Sequence, residues 1–201
     1  MKKVALAAAM ALALGGTAKA DIFDYAELFG GATIEPSLSQ GSTTIDMSTG
    51  VNVGAALGWN FGPNISVEAE GLYTSSDFDS PTVKAELETF SFMANAYWAF
   101  DIGSRWKPYV GAGVGGVAVT VTDGSVVGVT TFGGDSKVVF GYQAMAGVTI
   151  PVAANIDFLA EYRYQGAQDA SITLLSPTLG PNTFDQEYKS SNLSAGFRFH
   201  L

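Results

Sequence analysis

Glu68 and Glu70 stand two residues apart, and so do Glu161 and Arg163. In extended chain that spacing puts both members of each pair on one face. Two carboxylates facing an arginine could relay a proton, line an ion path or form a salt-bridged core. Glu27 and Arg198, near the two ends of the chain, make a second set of the same kind. Acid–base or nucleophilic catalysis would need more: a nucleophile beside a base, or paired carboxylates beside a histidine. The sole histidine is His200, next to the last residue, and cysteine is absent. The residues therefore read as non-enzymatic, with no catalytic residue, no metal-ligand set and no bound cofactor expected. Gly111, Gly113 and Gly116 match G-x-G-x-x-G, but a dinucleotide site needs a helix next. The next residues are instead Val117-Ala-Val-Thr-Val-Thr122, a β-forming run. The glycines are better explained as places where a strand coils tightly and leaves room for bulkier neighbours.

The elements that carry these residues alternate with period 2. Val51, Val53, Ala55, Leu57, Trp59 and Phe61 oppose Asn52, Gly54, Ala56, Gly58 and Asn60. The same pattern puts Glu68 and Glu70 opposite Ile65, Val67 and Ala69, and Glu161 and Arg163 opposite Phe158, Ala160 and Tyr162. Asn95 and Tyr97 oppose Phe92, Ala94 and Trp98; Gln143 opposes Tyr142 and Ala144; Arg198 opposes Phe197 and Phe199. With glycine-blurred strands at about 24–34 and 107–120, eight segments of membrane-crossing length result. Short turns at 61–64, 101–106 and 151–155 alternate with long stretches at 35–50, 75–86, 121–137 and 166–186. This is the rhythm of an all-β, eight-stranded antiparallel up-and-down transmembrane β-barrel, with both termini on the short-turn, periplasmic side. Its lumen would hold Glu27, Glu68, Glu70, Asn95, Gln143, Glu161, Arg163 and Arg198. Isolated charges there are costly, so Arg198 should meet Glu27 where the last strand closes on the first. Arg163 should meet Glu161, Glu68 or Glu70.

Residues 1–20 read as a cleaved secretory signal: Lys2 and Lys3, an apolar run from Val4 to Leu14, and Ala18-Lys19-Ala20 before Asp21. The barrel domain is then 21–201, with seven basic residues against 19 acids, a net charge of −12. Such a chain is a poor nucleic-acid binder. Charged residues are only 14% of the sequence, against about 25% in ordinary soluble domains, so the apolar faces should point outward into lipid. A soluble barrel with a greasy interior is the rival. Residues 138–156 carry no charge but alternate, against a spanning helix. Trp59, Trp98 and Trp106 all lie beside short turns, where with Phe197 and Phe199 they would form a periplasmic aromatic girdle.

Four stretches carry a resemblance. Lys107-Pro-Tyr-Val-Gly-Ala-Gly-Val-Gly115, Phe140-Gly-Tyr-Gln-Ala-Met-Ala-Gly-Val148, Glu161-Tyr-Arg-Tyr164 and Tyr188-Lys-Ser-Ser-Asn-Leu-Ser-Ala-Gly-Phe-Arg-Phe199 resemble the OmpA-like, opacity-type small surface antigens of Gram-negative outer membranes. The resemblance covers nearly all of 21–201, in order and spacing. It implies insertion by the barrel assembly machinery, although that family usually ends in Phe and this chain ends in Leu201. No trailing peptidoglycan-binding domain is expected. The long loops carry nine acids and two lysines, with Phe78, Val126, Val127, Phe132, Leu174, Leu175 and Phe184 among them. They fit recognition of a host or envelope protein, or cation bridging to the surrounding lipopolysaccharide. The expected role is a closed surface antigen and envelope-integrity barrel. The alternatives are a narrow passive channel for small solutes and, less favoured, a lipid-modifying outer-membrane enzyme.

Overall fold

The computed structural model describes residues 22–40, 43–46, 48–77, 83–126, 130–131, 137–176 and 180–201. Their strands are β1 (Tyr25–Gln40), β2 (Thr43–Asp46), β3 (Gly50–Asn60), β4 (Ile65–Asp77), β5 (Val83–Ala99), β6 (Lys107–Val126), β7 (Thr130–Thr131), β8 (Lys137–Ala153), β9 (Ile156–Ser176) and β10 (Gly180–His200). Eight of them pair antiparallel with their neighbours in the order β1-β3-β4-β5-β6-β8-β9-β10. β10 then pairs with β1, Glu27 opposite Arg198 and Ala32 opposite Leu193, so the eight-stranded sheet closes on itself. The short β2 and β7 only extend the hairpins that follow β1 and β6.

The period-2 pattern is what fixes the register. In β4, Ser66, Glu68, Glu70, Leu72, Thr74 and Ser76 are buried inside, while Ile65 faces out. In β5, Thr89, Ser91, Met93, Asn95 and Tyr97 are inside, and Phe90, Phe92 and Trp98 outside. A slip of one residue would exchange these two sets, placing the carboxylates in lipid. Phe92, Phe140 and Leu193 form part of an outer surface exposed to the surroundings and apolar throughout its middle. An aqueous environment would not tolerate a continuous belt of this kind on a monomer. Among the described residues no helix is long and apolar enough to cross a membrane; β8 (Lys137–Ala153) and the start of β9 (Ile156–Ser176) stand where the rival helix would be.

One end of the barrel is tight. Gly62 and Gly103 take positive φ values of 102° and 68° in two of its turns, a conformation that side chains disfavour. The β8–β9 connection is shorter than the expected 151–155, because β8 runs on to Ala153 through a bulge. Both ends of the described chain meet here: Leu201 N donates to Asp24 O, and His200 N to Asn155 O.

The other end projects. Pairing continues through much of what the sequence pattern marks as loop, with Gly180 opposite Ser176 at the tip of the β9–β10 hairpin. Each of these strands has 21 residues. At about 3.3 Å per residue and a tilt of about 40°, that is a rise of roughly 50 Å, twice an apolar band of about 25 Å. The backbone ladder carries on where the apolar alternation stops, because pairing needs only N–H and C=O groups. The expected leader at 1–20 and the side chains of the seven loop apolar residues lie outside the described residues.

Candidate functional site

The interior of the barrel is a set of stacked polar layers, and its centre is Arg163. From β9 it reaches Glu70 on β4, which stands diametrically opposite in the strand order. The contact is two-pronged: Nη1 donates to Oε1 at 2.5 Å and Nη2 to Oε2 at 2.6 Å. Bidentate guanidinium–carboxylate pairs of this form are the strongest charge-assisted hydrogen bonds available to side chains. Arg163 also donates through Nε and Nη2 to Glu161 Oε1, at 3.1 and 2.7 Å. Asn95 Nδ2 and Gln143 Nε2 donate to the two oxygens of Glu70, and Tyr109 OH donates to Glu161 Oε2. Glu70 thus has four donors, and Glu161 has three.

A second layer lies nearer the tight end. Arg198 Nε donates to Glu27 Oε1 at 2.5 Å, across the β1–β10 seam. Its Nη2 stretches 3.3 Å to Glu68 Oε1, which takes a shorter bond, 2.7 Å, from Tyr25 OH. The guanidinium stacks on that tyrosine, 4.1 Å from the ring centroid. Beyond this layer, at the rim, His200 Nε2 lies 3.0 Å from Asp157 Oδ2. Toward the projecting end the lumen turns neutral: Gln165 donates to Ser91 and Gln143, Thr33 to Asn192, and Ser194 to Asn52.

All six charged residues singled out from the sequence therefore face the lumen. Glu27 meets Arg198; Arg163 meets Glu70 and Glu161; Glu68 is joined to Arg198 and Tyr25 instead. The tyrosines Tyr25 and Tyr109 escaped the sequence reading, yet each hydroxyl binds a lumen carboxylate. Tyr25 has the parity of Glu27 and could have been found by it; Tyr109 is hidden in the glycine-blurred β6. Arg163, Glu70 and Glu161 are 3%, 1% and 6% exposed, so the middle of the bore is filled by side chains.

Glycine makes room for the rings. Tyr25, Phe29, Tyr97 and Tyr109 each lie across the glycine opposite them on the next strand, Gly58, Gly54, Gly111 and Gly147. A Cβ at any of these would enter the ring. On the outer surface, Trp98 and Trp106 are exposed beside the tight turns, and Trp59 packs against Phe23, the rings tilted by 42° with centroids 4.7 Å apart. Phe197 meets Phe158 edge-on at 5.9 Å; Phe199 lies one step closer to the rim, opposite Ile156. Among the described residues no group of three or more His, Asp or Glu could hold a metal ion.

The model of the outer membrane protein beta-barrel domain matches residues 4–199. The chain belongs to that family. An outer membrane protein of Gluconacetobacter diazotrophicus is 29% identical over 163 residues, 71% of this chain. The match covers 43% of that relative, so the chain spans less than half its length. Among solved structures, Neisserial surface protein A is similar in fold, with a TM-score of 0.58 at 20% identity over 89% of this chain and 97% of that one. OprG from Pseudomonas aeruginosa has the same fold, with a TM-score of 0.56 at 16% identity over the same shares. The chain is thus an outer-membrane β-barrel protein of the small, eight-stranded kind.

Proposed function

We propose that this barrel is a surface protein with a closed lumen, whose recognition work is done by the hairpins at its projecting end. The observation that carries this reading is the two-pronged Arg163–Glu70 contact across the full bore, with five further hydrogen bonds donated to Glu70 and Glu161. A bore of eight strands is just wide enough for side chains to fill, and these side chains are mutually satisfied. The role is then that of a surface antigen and envelope-integrity protein. In small outer-membrane barrels the short turns are periplasmic and the long loops extracellular, which puts both termini in the periplasm and the tryptophans in the inner girdle. Catalysis is not part of this reading, because His200 sits at the rim farthest from the projecting hairpins, engaged with Asp157. The partners this reading implies are outer-leaflet lipid and lipopolysaccharide around the wall, the barrel assembly machinery during insertion, and a host or envelope protein on the hairpins.

Topology is tested by placing a peptide tag at residue 80 or at residue 103 and probing intact cells with an antibody. The tag at 80 should be stained and the tag at 103 should stain only after the outer membrane is opened. Staining of the tag at 103 on intact cells would reverse the orientation and remove the hairpins from the surface. A narrow channel is the second reading; trimming the hairpins separates the two, since surface binding would be lost and any conductance kept.

A further inference from the structure

The buried charges of the lumen do not balance. Among the described residues, four carboxylates (Glu27, Glu68, Glu70 and Glu161) face two guanidiniums (Arg163 and Arg198). Each guanidinium is already committed: Arg163 to Glu70 and Glu161, Arg198 to Glu27 at 2.5 Å. Glu68 is left with the long 3.3 Å contact from Arg198 and a hydroxyl from Tyr25, both on Oε1. Its Oε2 has no hydrogen-bond partner, and less than 1 Å² of that atom's surface is open. A water or a metal ion on Oε2 needs space that this packing does not leave. An ionised carboxylate with one oxygen unpartnered in such a place is more costly than a neutral acid.

We propose that Glu68 is a proton-binding site in the folded barrel, holding its carboxyl as the neutral acid near neutral pH, with the proton on Oε2. The groups that face it agree with this assignment. Tyr25 on β1 and Arg198 on β10 bond to it, and Glu27 on β1, Tyr97 on β5, Tyr109 on β6 and Glu70 two residues along β4 lie within electrostatic reach. Two of these are carboxylates and three are tyrosines, against one arginine whose best bond goes elsewhere. Glu27, by contrast, accepts that bond, and Glu70 and Glu161 accept four and three hydrogen bonds. The proton lowers the net buried charge from −2 to −1, and it does so whether or not the lumen conducts. The rim formed by Asp157 and His200 is the nearer end of the barrel through which it can exchange.

The test is infrared spectroscopy of the folded full barrel in detergent, in water and in heavy water. The wild type should show the carbonyl stretch of a neutral carboxylic acid near neutral pH, shifted in heavy water and lost on strong alkalinisation. In Glu68→Gln, which replaces a neutral acid by a neutral amide of the same shape, the band should vanish while urea resistance is kept. In Glu161→Gln the band should stay. Absence of the band from the wild type, or its survival in Glu68→Gln, would overturn the assignment. So would urea resistance that tracks sodium or potassium concentration with no band present, since a bound cation would then balance the charge. The wild-type spectrum decides the matter even if a variant does not fold.

Discussion

Arg163 and Arg198 carry the same charge but differ in what depends on them. Removing Arg163 leaves Glu70 and Glu161 buried without a counter-ion, so Arg163→Met should cost about 3–5 kcal/mol of stability, the range for breaking a buried pair. Arg198 has 16% of its side chain exposed and sits beside the rim, where water can partly replace it. Arg198→Met should therefore cost less, roughly 1–3 kcal/mol, as loss of the bond to Glu27, the long contact to Glu68 and the stacking on Tyr25. Urea unfolding followed by heat-shifted gel mobility measures both; equal losses would mean that burial does not set the difference. The pairing of Glu27 with Arg198 was legible in the sequence because both lie at fixed distances from the ends of strands that must meet. Glu70 could not be told from Glu68 as the partner of Arg163. They share a face, and only the stagger between β4 and β9 decides which one is level with the arginine.

A strand in this barrel is defined by what lies opposite it. Gly111 leaves a slot on β6 into which the ring of Tyr97 fits from β5. Gly111→Ala pushes a methyl group into that ring, and overpacking of this type costs about 1–3 kcal/mol. Gly30 is the contrasting case: a Cβ there comes no closer than 3.2 Å, to Asn52 O, so Gly30→Ala should change urea resistance far less. Equal effects at the two positions would refute the slot. The sequence showed eight segments and the short turns, because alternation and turn residues are local signals. It misplaced the ends of the long hairpins, because pairing beyond the membrane leaves no apolar face to mark it. Glycine-rich β6 gave one of the two weak patterns and still forms one of the longest strands, 20 residues, because its partners on both sides supply the register.

Over the whole molecule, closure of β10 on β1 and the charged layers across the bore depend on each other. Closing the sheet brings β4 and β9 face to face, and the arginine between them holds that width. The projecting hairpins have no such task. Removing residues 175–181 from the tip of the β9–β10 hairpin should leave folding and heat-shifted mobility unchanged; failure to fold would make that hairpin part of the scaffold. The proposed role requires that side chains plug the lumen. Single-channel recording from verified barrel in a planar bilayer tests it most directly. A plugged bore gives no stepwise current from the wild type. Reproducible steps that change size when Arg163 or Glu70 is neutralised would contradict it and make the lumen a path.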